Sequence, residues 1–195
     1  MLRRVGSLMR LTLTDPRAAA RALMQDEAAL GQAVPIALAV VGFGVMLSFI
    51  LAQLMPGPEF PMLDFLLGNP LLYAGFQFAL LLFSVVAIYA VGRMFGGTGG
   101  FQQALLLMSW VQFFMLVVQI VAVGVMLLVP GVGILLNYAI MVNFIWLMVV
   151  FITELHGFTS RLKVLGGMIG TAFVVAFVAS ALLSALGMGI SVQGL

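Results

Sequence analysis

Neutral amides are the polar side chains that this sequence places inside long apolar runs. Gln112 and Gln119 are seven residues apart, close to two turns of a helix, so they face the same way. An amide without a partner is costly in hydrocarbon, and such side chains therefore point inward. The pattern fits a polar seam that binds a solute or a lipid head group, and it also fits hydrogen bonds between neighbouring helices. The candidate seam consists of Gln77, Gln112, Gln119, Asn137 and Asn143.

A second polar set lies between two apolar runs, over residues 154–163. Glu154 and His156 have side chains that can bind a cation or a partner. The simpler interpretation is that Glu154 pairs with a nearby arginine and that His156 makes hydrogen bonds at the membrane interface. Together with basic residues elsewhere, this loop predicts a surface that contacts a partner or lipid. The candidate contacts are Arg3, Arg4, Arg10, Arg93, Glu154, His156, Arg161 and Lys163.

The residue types that catalysis requires do not occur here in the combinations that a catalytic site needs. The long apolar runs contain no charged residue, so no carboxylate or lysine is available for a proton or sodium relay at the membrane midplane. The serines in those runs have no histidine partner at depth, because His156 is the one histidine of the chain. Catalytic and phosphate-binding motifs are absent, as is cysteine. We therefore predict no enzyme activity, no catalytic residue, no cofactor and no metal site.

The composition requires a lipid environment around most of the chain. Of 195 residues, 64% are hydrophobic and 7% are charged, against about 25% charged in soluble domains. So few charged side chains cannot cover the surface of a water-soluble fold of this size. The net charge is only +2, and basic residues in such chains fix topology and contact anionic lipid, so no nucleic-acid partner is expected.

Five apolar runs predict an all-α fold, a bundle of five transmembrane helices. Residues 101–153 contain no charged residue and no histidine. This stretch is long enough for two crossings of about twenty residues each. Proline and glycines over residues 129–133 predict the turn between these two crossings. The predicted spans are Val34–Leu54, Leu71–Val91, Ala104–Val129, Ile134–Thr153 and Val164–Leu186.

The basic residues predict the orientation of the bundle. In a five-span arrangement all eight Lys and Arg residues fall on one side, which the positive-inside rule makes cytoplasmic. The segments 55–70, 130–133 and 187–195 contain no Lys or Arg. We predict an inner-membrane protein with a cytoplasmic N-terminus and a non-cytoplasmic C-terminus.

Two short helices are predicted before the first span. Residues 2–13 have an apolar face with Arg3 and Arg10 away from it, as in a helix that lies in the membrane interface. Such a helix can also lie in solvent on the cytoplasmic side. In the second helix, Thr14 or Asp15 caps and Pro16 takes the first position.

The resulting domain division has three parts. Residues 1–31 form the N-terminal cytoplasmic or interfacial helices, residues 32–190 form the five-span membrane domain, and residues 191–195 form a short tail. Residues 55–70, with four prolines and several large apolar residues, predict a short helical turn that rests on the outer surface.

The fifth predicted span has small residues at four-residue spacing. Such spacing lets two helix backbones approach closely, either within one chain or between two copies in a homo-oligomer. The small residues are Gly166, Gly170, Ala172, Ala176, Ser180 and Ser184.

Three distinctive stretches lie on the basic side of the predicted bundle. They are GRMFGGTGGFQQAL after the second span, ELHGFTSRLKVLGG between the fourth and fifth, and DPRAAARAL before the first. These stretches resemble the Yip domain family of Ypt/Rab-interacting membrane proteins, in its bacterial branch. The resemblance implies five membrane helices with a cytoplasmic N-terminus. For the eukaryotic branch of that family, the expected roles are vesicle traffic and binding of small GTPases. This chain lacks the Asp-Leu-Tyr-Gly-Pro motif of that branch, so no binding residue is carried over.

These observations favour a non-catalytic membrane protein that acts as a scaffold, a membrane organiser or an accessory subunit. Its partners would be membrane lipids and either a second copy or another membrane protein. The alternative function is a small-solute transporter or channel lined by the neutral amides.

Overall fold

The computed structural model describes residues 2–54, 65–66 and 68–185. Every regular element within these residues is helical. A 3-10 turn over Pro130–Val132 joins the sixth helix to the seventh. The helices are α1 (Leu2–Thr14), α2 (Pro16–Met24), α3 (Glu27–Leu30), α4 (Ala33–Leu54), α5 (Pro70–Met94), α6 (Phe101–Leu128), α7 (Gly133–His156) and α8 (Arg161–Ala185).

Helices α4 to α8 are the membrane-crossing helices predicted from hydropathy. In the described part of the chain, these five are long and apolar enough to cross a membrane, which makes the molecule a multi-pass membrane protein. Several helices extend past the predicted spans, because hydropathy detects only the apolar part of a helix that continues into the interface. Thus α5 continues through Arg93 to Met94, and α7 continues through Glu154 to His156.

Local sequence signals set several helix boundaries. The Asp15 carboxylate accepts a hydrogen bond from the Ala18 amide at 3.1 Å, and Pro16 occupies the first position of α2, as predicted. The Asn69 side chain caps α5 in the same way. Helix α7 ends where Gly157 takes a left-handed conformation with φ of 69°. The predicted turn between the third and fourth spans is confirmed by the 3-10 turn.

Helix α6 lies at the centre of the bundle, in contact with α4, α5 and α7. Its best-packed part is the half near the α5–α6 loop, where Leu105 and Phe114 are only 1% exposed. Helix α7 contributes a matching buried stretch over residues 147–153. The core is therefore concentrated in the half of the bundle that carries the charged loops.

The short N-terminal helices are packed on this charged end of the bundle. Ala19 and Ala20 of α2 are fully buried, and α2 contacts both α6 and α7. Helix α1 is held by a buried hydrogen bond in which Trp110 Nε1 donates to the Thr12 hydroxyl at 2.9 Å. A buried indole N–H needs such a partner, so this bond fixes α1 against α6.

Part of the amphipathic face of α1 is used within the protein. Val5, Leu8 and Met9 are partly buried and pack against the protein core. Arg3 and Arg10 are exposed, so contact of this basic face with anionic lipid stays a prediction. The division into residues 1–31, 32–190 and 191–195 also stays a prediction. The predicted helical turn within residues 55–70 falls largely outside the described residues, as does the end of the fifth span at Leu186.

We predict that Ala20→Leu destabilises the protein, whereas Ala28→Leu does not. Ala20 is fully buried between α2 and the bundle, and overpacking of this kind costs about 1–3 kcal/mol. Ala28 is exposed on α3 and has room for the larger side chain. Thermal unfolding in detergent, followed by tryptophan fluorescence, measures the difference. Equal midpoints for the two variants would show that α2 is not packed as described.

Candidate functional site

The Glu154 carboxylate joins α7 to α2 at the charged end of the bundle. Arg21 Nε donates to one carboxylate oxygen at 2.9 Å, and Arg17 Nε lies 3.3 Å from the other. The side chain of Glu154 is only 15% exposed. Its hydrogen bond and its negative charge raise the pKa of the Arg21 guanidinium. Each carboxylate oxygen of Glu154 thus contacts an arginine. This agrees with the simpler interpretation of the sequence, in which Glu154 pairs with a nearby arginine.

His156 lies inside the protein at the end of α7, with 2% of its surface exposed. Its Nδ1 accepts a hydrogen bond from the Gly99 amide at 3.3 Å, and its Nε2 lies 3.1 Å from the Ile88 carbonyl oxygen. A carbonyl can only accept, so the ring proton lies on Nε2, and the ring is neutral because Nδ1 accepts from the Gly99 amide. Both ring nitrogens are occupied, and neither is available to a cation or a partner.

Three glycines of the α5–α6 segment form a socket around this turn of α7. A Cβ on Gly92 would overlap the His156 ring, and a Cβ on Gly97 would lie 2.5 Å from His156 Nδ1. A Cβ on Gly99 would lie 2.6 Å from Leu155 Cγ. The Thr98 amide also donates to the His156 carbonyl at 3.3 Å. We call Gly92, Gly97 and Gly99 the glycine socket.

A glycine-rich loop between two membrane helices, such as this one, can serve simply to let the chain turn. Within the described residues, just one of its glycines has a positive φ, Gly96 at 83°. The glycine socket instead serves close packing, because a histidine ring and a leucine side chain take the space of the missing side chains. The socket was not predicted from the sequence. A glycine-rich loop paired with a solitary histidine in the next loop was the available signal.

The predicted contact residues divide into paired and exposed groups. Arg4 forms an ion pair with Asp26. The Arg161 guanidinium carbon lies 5.0 Å from the centre of the Trp146 ring, a cation–π contact. Arg3, Arg10, Arg93 and Lys163 are exposed. Large apolar side chains that neighbour Arg93 and Lys163 in the chain are also exposed. We call the exposed cations and these apolar residues the basic rim. It consists of Arg3, Arg10, Arg93, Met94, Phe95, Leu162 and Lys163.

The amides predicted as a seam converge on a cavity of about 570 Å³ between α5, α6 and α7. Helix α6 contacts both of the other helices and provides Gln112 and Gln119. Helix α5 provides Gln77, and α7 provides Asn137 near its start. Four of the five predicted seam residues therefore share one site. Asn143 does not line it. Ser84 of α5, which was not in the predicted seam, does.

Within the described residues, a hydrogen-bond chain between helices includes Gln77 but none of the other three amides that line the cavity. Gln77 Nε2 donates to the Tyr73 hydroxyl at 2.9 Å, and that hydroxyl reaches Ser48 of α4 at 3.4 Å. Within the described residues, no hydrogen bond joins Gln112, Gln119 or Asn137 to another side chain. These amides are instead directed at the cavity.

The cavity extends from the middle of the bundle toward the end away from the charged loops. Met126 and Leu136, close to the α6–α7 turn, line its far end. Toward the loops, the same three helices leave a void of only about 10 Å³. Leu107, Phe151 and Leu155, which are at most 5% exposed, pack there. The cavity is therefore closed at one end and is not a continuous pore.

The small residues of α8 are not packed against other parts of the described chain. Gly166 and Gly170 have no other atom within 4 Å of an added Cβ. The four further members of the stripe are also exposed. Packing inside the described part of the chain therefore does not explain the spacing.

Comparison with known proteins identifies one family. The family model described as the Yip1 domain matches residues 10–187, which is most of the chain. No curated protein and no solved structure matches the chain.

We predict that Gly97→Ala lowers the thermal stability of the protein, whereas Gly75→Ala leaves it unchanged or raises it. A Cβ at residue 97 forces the His156 ring out of its place, which costs about 1–3 kcal/mol. Gly75 lies in α5 with nothing near its Cβ position, and Ala is favoured over Gly in a helix. Unfolding midpoints in detergent measure both effects.

The same clash gives a coupling test. In the Gly97→Ala background, His156→Ala removes the ring that the new Cβ meets. The two substitutions together should therefore cost less than the sum of their separate effects. Strict additivity would mean that the ring does not fill the glycine socket.

We also predict that Glu154→Gln loosens α2 from the bundle. The substitution removes the carboxylate that holds Arg17 and Arg21, so trypsin should cleave after these arginines several times faster. Glu27→Gln, on exposed α3, is the matched control. Equal cleavage rates for the two variants and the unmodified protein would contradict the ion-pair role.

Proposed function

The chain belongs to the Yip1 domain family, and we propose that it is a non-catalytic scaffold that organises its membrane by binding lipid and partner proteins at the basic rim. The observation that carries this proposal is the fixed position of Arg93, Met94 and Phe95 in the rim, at the end of α5 and the start of the α5–α6 loop. Helix α2, the α5–α6 loop and the end of α7 are locked together by Glu154 and His156. Exposed cations and large apolar side chains are thereby presented on a rigid support.

The chemistry of the rim suits an interface between membrane and protein. Phe95 and Leu162 are 72% and 80% exposed, next to Arg93 and Lys163 in the chain. Apolar side chains at this level insert among lipid tails, while the cations meet anionic head groups or an acidic partner surface. Arg3 and Arg10 extend the same surface onto α1.

We place the protein in a bacterial inner membrane, with the basic rim in the cytoplasm and the C-terminus on the other side. The support is the charge asymmetry between the two ends of the bundle. All eight Lys and Arg residues belong to the loop end in a five-span topology, as the positive-inside rule requires for the cytoplasmic end.

A second copy of the chain is one partner that we propose. The support is the exposed stripe of small residues on α8, which finds no packing within the described residues. Small residues at this spacing let helices of two copies approach closely in a membrane.

A small-solute transporter is the second candidate function. The cavity favours it, because Gln77, Gln112, Gln119 and Asn137 converge there. The packed half of the bundle opposes it, because a solute would meet Leu107 and Phe151 before it reached the loops. Transport would require this half to open.

Single cysteines test the scaffold proposal, since the natural chain has none. Lys163→Cys places a photo-crosslinker on the basic rim, and Val132→Cys places it at the opposite end, on the α6–α7 turn. In cells, Lys163→Cys should capture proteins and anionic lipid several times more often than Val132→Cys. An impermeant maleimide should label only Val132→Cys in intact cells. Equal capture at both ends would refute the scaffold role, and labelling of Lys163→Cys alone would reverse the orientation.

A further inference from the structure

We propose that the amide-lined cavity binds one neutral glycerolipid, whose acyl chain lies along the apolar wall and whose glycerol hydroxyl and ester groups bond to the amides. This inference goes beyond the scaffold role of the basic rim, because it concerns the opposite half of the bundle. Diacylglycerol is the simplest molecule of this class.

The cavity is open toward the lipid side of the bundle. Leu80, Met141 and Phe144 line it and are 40–50% exposed, so lipid tails contact these side chains directly at the opening of the cavity. Gln119 and Asn137 are also exposed within it. A membrane lipid can therefore enter sideways between α5 and α7, without crossing the packed half.

The lining combines apolar surface with neutral donors and acceptors. Met108, Met115 and Met126 of α6 give an adaptable wall for a flexible chain. The Gln112 and Gln119 amides each offer an N–H₂ donor and a carbonyl acceptor, which match hydroxyl and ester groups. An amphiphile with both parts satisfies this lining better than a purely polar solute does.

The charge of the lining selects a neutral head group. No charged side chain of the described residues lines the cavity. A phosphate or ammonium group taken into it would lose water without meeting an opposite charge, which is costly at membrane depth. Anionic phospholipids therefore belong at the basic rim and a neutral lipid belongs in the cavity.

A cavity of about 570 Å³ that is open on one side has room for the glycerol part and a portion of one acyl chain, while the rest of the lipid stays in the bilayer. The cavity volume falls in the range of about 300–1,000 Å³ that is usual for small-molecule sites.

The test uses the full-length protein in nanodiscs and a diacylglycerol with a photoreactive acyl chain. Labelled peptides should come from α5, α6 and α7, and unlabelled diacylglycerol should compete. Phosphatidylglycerol at the same concentration should not compete. Labelling restricted to the basic rim, or equal competition by phosphatidylglycerol, would overturn the proposal.

Variants separate the cavity from general lipid contact. The double variant Gln112→Leu, Gln119→Leu keeps the shape of the cavity and removes two amides, so labelling should fall about fivefold. Asn143→Leu removes an amide from α7 that does not line the cavity, and labelling should not change. Equal labelling of both variants and the unmodified protein would overturn the proposal.

Filling the cavity gives an independent result. Ala122 lines it and is 6% exposed, so Ala122→Phe should occupy the acyl-chain position and abolish labelling. Thermal unfolding of each variant shows whether it is folded, and the competition experiment on the unmodified protein stands whatever the outcome for Ala122→Phe. A folded Ala122→Phe that is labelled normally would also overturn the proposal, as would cross-links between two copies in place of lipid adducts.

Discussion

One turn of α7 holds three other parts of the molecule in place. The Glu154 carboxylate binds α2 through Arg17 and Arg21, and the His156 ring fills the space that the glycine socket leaves open. Each of these polar groups has lost most of its water, so each depends on the partner that the other elements supply. The positions of α2, of the end of α5 and of the α5–α6 loop follow from these contacts.

The two halves of the bundle differ in the side chains that α6 presents. Near the loops, Leu105 and Leu107 meet apolar side chains of the neighbouring helices, and the void there is only about 10 Å³. From Gln112 onward, the amides of Gln112 and Gln119 line the cavity, where apolar neighbours supply no polar partner. One chain thus combines a closely packed end with an open cavity.

Regularities along single helices were predictable from the sequence. The spacing of Gln112 and Gln119 placed them on one face, and the structure directs both at the cavity. The same reasoning included Asn143, which does not line it. Helical periodicity relates residues of one helix to each other, but it does not give the rotation of that helix against its neighbours. The position of Ser84 in the cavity wall depended on that rotation as well.

The sequence by itself determined that this is an all-α protein with five membrane-crossing helices and its cations at one end. Hydropathy and charge are properties of short stretches, so they can be summed along the chain without knowledge of its contacts. Only the tertiary structure decided that His156 is buried, that Glu154 is neutralised by α2, and that four amides share a cavity. Those outcomes depend on distances between residues up to 133 positions apart, which the contact between Arg21 and Glu154 exemplifies.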